Sequence, residues 1–155
     1  DWVSSGWTSI ERDNRLERAT RMFHEALSLI DDHPSFALVG FTSVIESVYE
    51  GPERLGHCET CNSPTGSTRR FKAAVRSVLP AEAADLLEVA YQRRSRSVHS
   101  SRLHGEEVHR GSYPIPLMFS PDESFKFRWE TLRYTKDAAR ALLRNRLQTS
   151  TGDLD

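Results

Sequence analysis

Apolar residues recur at helical spacing from the first quarter of the chain onward. Leu16, Ala19, Phe23, Ala26, Leu27 and Ile30 fall mostly three or four positions apart, with Glu, Arg and Asp between them. That pattern predicts an amphipathic helix with those six side chains turned inward. Asp31-Asp32-His33 before Pro34 marks a stop and a restart, because proline disfavours α geometry in the preceding residue and suits the first turn of the next helix. A second helix is expected over about 34–50, with Ala37, Phe41, Val44, Ile45 and Val48 on its core face, and Gly51-Pro52 ends it. Residues 51–66 collect Gly, Pro, Ser, Asn and both cysteines and read as a loop. Ser67 or Thr68 is placed to cap a short third helix carrying Phe71, Val75, Val78 and Leu79.

Pro80 opens a fourth helix over about 81–98, with Ala83, Leu86, Leu87, Ala90, Tyr91 and Val98 inward. Residues 100–124, rich in Ser, Gly, His and Pro, are irregular, and a loop of that length is uncommon unless it has a task or moves. A last helix over about 127–148 turns Leu132, Thr135, Ala139, Leu142 and Leu143 inward, with Trp129 expected in the core at its start. Trp2 and Trp7 are expected to pack at the amino end or against a neighbour, and His24 and His33 to lie on the surface. Five helices without strand alternation predict an all-α, up-and-down bundle. One domain spans residues 1–155, with its core at about 12–148, a length that buries a real core. The start at Asp1, without a methionine, raises the expectation of a domain cut from something longer.

Composition narrows the class. The chain is 37% hydrophobic and 28% charged, as a folded globular domain is, and no stretch approaches the roughly 20 apolar residues of a membrane span. Two cysteines are too few for a disulfide framework, which favours a reducing, cytoplasmic compartment. The net charge of −1 hides an asymmetry: residues 1–66 hold 5 Lys+Arg against 11 Asp+Glu, and residues 67–155 hold 16 against 11. Eighteen of the 21 basic residues are arginine, whose planar fork suits phosphate, although high genomic GC content yields the same bias. Arg69, Arg70, Lys72 and Arg76, with no acid between them, form either a phosphate-tracking run or a solvated helix face.

The segment Tyr91-Gln-Arg-Arg-Ser-Arg-Ser-Val-His99 carries the chemistry. Arg94 falls three residues after Tyr91 and four before Val98, on the stripe that otherwise faces the core, where a charge needs a partner or a wet cleft or interface. His99 follows about one and a half turns later. The pair has the types to act on one phosphate, arginine holding non-bridging oxygens and histidine moving a proton near neutral pH. The competing reading is structural, with Arg94 paired to a carboxylate such as Glu46 and His99 favoured at a helix C-terminus by the dipole.

This segment resembles the HEPN superfamily, and within it the ApeA-like branch, which carries Arg and His four to six residues apart near the end of a late helix. An aromatic residue precedes the arginine by three positions and Ser follows it. Tyr91, Arg94-Ser95 and His99 stand at those positions here. The resemblance extends to the helix holding Val44-Ile45-Glu46-Ser47-Val48, the short helix after it and the amphipathic closing helix. The family often has Gly after the histidine, where this chain has Ser100-Ser101. The resemblance implies a homodimer whose two motifs face each other and a metal-independent endoribonuclease. His99 would then take the 2′-OH proton, Arg94 would stabilise the phosphate, and a 2′,3′-cyclic end would remain. Tyr91, Arg93, Ser95, Arg96 and Arg102 would contact RNA. Relatives serve in toxin–antitoxin or antiphage systems, so an antitoxin or other defence protein is an expected partner. Other relatives keep the fold without activity, and a silent domain for dimerisation or RNA or nucleotide binding is the alternative.

Catalysis of this kind needs no cofactor. A structural zinc is a separate expectation: Cys58-Glu-Thr-Cys61 is half a site, and His104 and His109 have a spacing that zinc accepts. In an up-and-down bundle these two loops would share an end. The other route is a site of four cysteines shared across the dimer.

Overall fold

The computed structural model describes residues 2–51, 56–57, 64–105 and 126–152. The described chain is mostly helical. Helix α1 spans Trp2–Arg12, α2 Asn14–Ser28, α3 Pro34–Val48, α4 Ser67–Arg76, α5 Ala81–Leu86 and α6 Glu88–Ser100; a π-helical segment, Phe127–Leu132, then runs directly into α7, Arg133–Gly152. Two-residue strands β1 (Gly56–His57) and β2 (Pro64–Thr65) pair antiparallel, Gly56 opposite Thr65, closing a small hairpin within the stretch expected to be loop.

Helix α3 is the axis of the fold. It packs against α2, α4, α6, α7 and the π-helical segment. A helix covered on most sides must be apolar on most sides. Accordingly Leu38, Gly40 and Thr42 are buried together with the expected Ala37, Phe41, Val44, Ile45 and Val48. The Thr42 hydroxyl is satisfied by donating to the Leu38 carbonyl at 2.9 Å. Gly40 sets the α2–α3 spacing, since a Cβ there would sit 2.7 Å from the Ala26 Cβ. Pro34 occupies the first turn of α3, as its fixed φ favours.

Asp13 separates α1 from α2, accepting from the backbone N–H of Arg15 (2.9 Å) and Leu16 (3.2 Å) as an N-cap. Its other oxygen accepts from Arg146 of α7 at 3.2 Å, and Arg146 also pairs with Glu50 beyond α3. One arginine thus ties the α1–α2 junction to the end of α3.

Several expectations change. Helix α1 joins the five predicted helices, with Trp7 exposed and donating to Glu11 at 2.8 Å. The predicted fourth helix is broken at Leu87, which is fully buried between α5 and α6, so Leu86 turns out to solvent. Val98 and Leu27 are also exposed, on the flanks of their helices. Gly66, at φ 88°, precedes α4, so the cap expected from Ser67 or Thr68 is not used. Trp129 is 53% exposed because the π-helical pitch shifts the phase of the first turn and buries Phe127 instead. Leu132, Thr135, Ala139, Leu142 and Leu143 are buried as the spacing predicts. His24 and His33 are exposed, also as expected.

Candidate active site

The expected catalytic pair lies on α6, and the helix treats its two members differently. Arg94 and His99 are five positions apart on the α-helix, about 7.5 Å of rise and about 140° of rotation. Ala90 and Ser97 define the buried face. Arg94 flanks that face, and His99 points away from it into solvent. The helix continues through Ser100, one residue past His99, and ends at Ser101 with φ 50° in the left-handed region.

Arg94 is 24% exposed and reaches across to α3, its Nη2 lying 3.5 Å from Glu46 Oε2. Its Cζ is 5.7 Å from the centroid of the Tyr91 ring. Its Nε is buried and has no hydrogen-bond partner. The charge that the sequence would send to an interface therefore finds a carboxylate within the chain, but at the long limit of a hydrogen bond and with one donor unmet.

Tyr91 anchors the same cluster. Its ring stacks at a tilt on Phe71 of α4, 5.3 Å between centroids. Burial pushes its phenol above the ordinary range; hydrogen bonding with Ser67 and the charge of Arg94 pull it down, while the Glu46 carboxylate pushes it further up. Ser67 at the start of α4 therefore belongs to this environment, which spacing along α6 could not disclose.

The remaining RNA-contact candidates divide. Arg93 faces inward: Nη1 donates to Thr131 Oγ1 at 2.8 Å, and its Cζ lies 5.5 Å from the Phe127 ring centroid, so it ties α6 to the π-helical segment. Ser95 is half-buried, and Arg96 and Arg102 are exposed on either side of the helix end. The Ser97 hydroxyl donates to the Arg102 carbonyl at 3.0 Å and so shapes that end. The run on α4 is largely engaged by groups distant in sequence. Arg70 donates to the Tyr49 carbonyl and lies over its ring, Lys72 pairs with Glu88 at 2.8 Å, and Arg76 pairs with Asp85 and Glu88.

Of the four candidate zinc ligands, Cys58, Cys61 and His109 lie outside the described residues. His104 is half-buried, its ring 6.0 Å from that of Phe127. Its Nε2–H donates to the Arg93 carbonyl (3.2 Å), and its backbone N–H donates to Ser35 Oγ (2.7 Å). Burial pushes its pKa below the usual value, opposed by the bond to the Arg93 carbonyl and reinforced by the nearby arginines. Ser35 stands in the first turn of α3, so His104 lies at that end of the central helix. Among the described residues no group of three or more His, Cys, Asp and Glu is placed to hold a metal ion. None of the described helices is long and apolar enough to cross a membrane.

Compared with known proteins, the chain matches no family model and shows no significant similarity to a curated protein or to a solved structure.

Proposed function

We propose that the chain is a HEPN-like domain that cleaves RNA without a metal, in the cytoplasm, as a homodimer with Arg94 and His99 in the composite site. The observation that carries this reading is the state of Arg94. A guanidinium with a buried, unpartnered Nε and a 3.5 Å contact to Glu46 retains hydrogen-bonding capacity, on the helix that presents an exposed histidine. Its accessible quarter lies next to Val98, which is 50% exposed and falls between Arg94 and Ser95 around the helix. A second copy seated on Val98 would bring its own pair to the groove and overcome the divergence of Arg94 and His99 within one chain. His99 would act as base on the 2′-OH, Arg94 as the clamp on the phosphate, and Glu46 would orient Arg94. Toxin–antitoxin or antiphage defence is the setting this chemistry suits, with an antitoxin or other defence protein as the controlling partner.

The experiment is incubation of single-stranded RNA in EDTA with wild type, Arg94→Ala and His99→Ala, alongside light scattering for the dimer. Cleavage by the wild type alone supports the reading. Cleavage at the wild-type rate in His99→Ala contradicts it.

A second reading, a silent HEPN-like domain that dimerises or binds RNA or a nucleotide, is favoured by one observation: Arg94 turns back toward Glu46 while His99 points about 140° away. A wild type that dimerises and cleaves no RNA supports it.

A further inference from the structure

Helix α7 carries a row of cations that have no carboxylate partner among the described residues. Arg133, Lys136, Arg140 and Arg144 are spaced three, four and four residues apart, so they share one face and follow it for about 16 Å. None of the four has a hydrogen bond or ion pair among the described residues, and Arg133 contacts only the ring of Tyr134, 4.8 Å from its Cζ. By contrast, Lys72, Arg76, Arg94, Arg128 and Arg146 each pair with at least one carboxylate. Asp137 is the one carboxylate among the described residues that line the hollows along this face.

Two hollows lie along the row. One, about 180 Å³, is bounded by Ile30, Arg128 (paired with Asp31 at 2.6 Å), Trp129, Leu132, Arg133 and Lys136. The other, about 520 Å³, is bounded by Phe23, Leu143, Leu147, Asp137, Arg140 and Arg144. The Trp129 indole stands at the first hollow, 53% exposed, on the π-helical segment, a geometry that gathers at functional places.

Like charges one turn apart repel and are relieved by an anion that runs along them. An acidic peptide meets the charge but brings no flat ring to the exposed part of the indole. Single-stranded nucleic acid meets both, with phosphates repeating along the row and a base whose face stacks on an aromatic ring whatever its identity. We infer that this face of α7 binds the backbone of single-stranded nucleic acid, with phosphates on Arg133, Lys136, Arg140 and Arg144 and a base on Trp129. The inference deepens the reading of RNA as substrate but does not need cleavage, because single-stranded DNA carries the same phosphates and bases.

The test is fluorescence anisotropy with labelled oligouridylate and oligodeoxythymidylate over a series of salt concentrations, in the full chain carrying His99→Ala to prevent turnover. Both probes bind. Arg133→Gln/Lys136→Gln and Arg140→Gln/Arg144→Gln each weaken binding tenfold or more, and each lowers the slope of log K against log salt by about 1.4, at about 0.7 per phosphate contact. Trp129→Ala weakens binding about fivefold or more without changing that slope. Arg76→Gln on α4 changes neither, and circular dichroism shows each variant folded. Binding of neither probe, or double variants that bind like their parent, overturns the inference and leaves the row to an acidic protein. Trp129→Ala without effect overturns the stacked base. Binding with no cleavage by the wild type counts against the nuclease and for this surface; cleavage with stripe variants binding normally does the reverse.

Discussion

Arg94 Nη2 on α6 lies 3.5 Å from Glu46 Oε2 on α3, and this contact joins the helix of the candidate chemistry to the central helix of the bundle. Each side chain is about a quarter exposed, so the pair is worth less than a fully buried one. Removing one partner still leaves a half-buried charge alone. Glu46→Ala is expected to lower stability by about 1–3 kcal/mol in urea unfolding. Glu46→Leu combined with Arg94→Met should recover most of that loss, since it removes both charges and the unmet Nε donor.

Asp13 yields a pH dependence. Burial raises its carboxyl pKa, but the backbone N–H groups of Leu16 and Arg15, with Arg146, outweigh burial and hold it below 3.8. A carboxyl with a depressed folded pKa adds stability that is full above its unfolded value and is lost as pH falls through the folded one. Thermal melts should therefore show this part of the stability disappearing below about pH 4. Asp13→Asn keeps the cap and removes that pH-dependent part, whereas Asp13→Ala costs about 1 kcal/mol at neutral pH.

Ser101 ends α6 at φ 50°. A side chain in the left-handed region costs about 1 kcal/mol that glycine avoids. Ser101→Gly is expected to raise stability by about 0.4–1 kcal/mol in the same urea measurement, and a loss of stability would show that the Ser101 side chain makes contacts that matter more than the strain.

Metal content separates the two zinc routes. A site using Cys58 and Cys61 with His104 and His109 predicts about one zinc per chain in protein purified without chelator. Cysteine pairs shared by two copies predict one zinc for two chains. Metal-free, fully folded protein dismisses both.

The helices were legible where one face is apolar, as in α2 and α7, because burial imposes a period of 3.6 on the residues that make it. Phase was legible only while the helix stayed regular. The π-helical turn moved Trp129 out and Phe127 in, and the break at Leu87 turned Leu86 out, since both depend on what packs across the element. Helix α1 hid because Trp2–Arg12 carries Ser, Gly and Thr among few apolar residues. Arg94 stood out as a cation on an apolar stripe, and Glu46 was already a candidate partner. Ser67, Thr131 and Ser35 did not stand out, because their roles rest on contacts far apart in sequence. The row on α7 had a signal, four cations at helical spacing, but spacing alone does not say whether carboxylates of neighbouring helices meet them.

Product analysis tests the central claim most directly. A single-stranded RNA cut by the wild type in EDTA should end in a 2′,3′-cyclic phosphate, and one 2′-deoxy residue at the cut site should block that cut, because the nucleophile is the neighbouring 2′-OH. His99→Ala should lower the rate by about 10²–10⁴, as loss of a general base does. Cleavage through the 2′-deoxy position, or an unchanged rate in His99→Ala, would contradict the account.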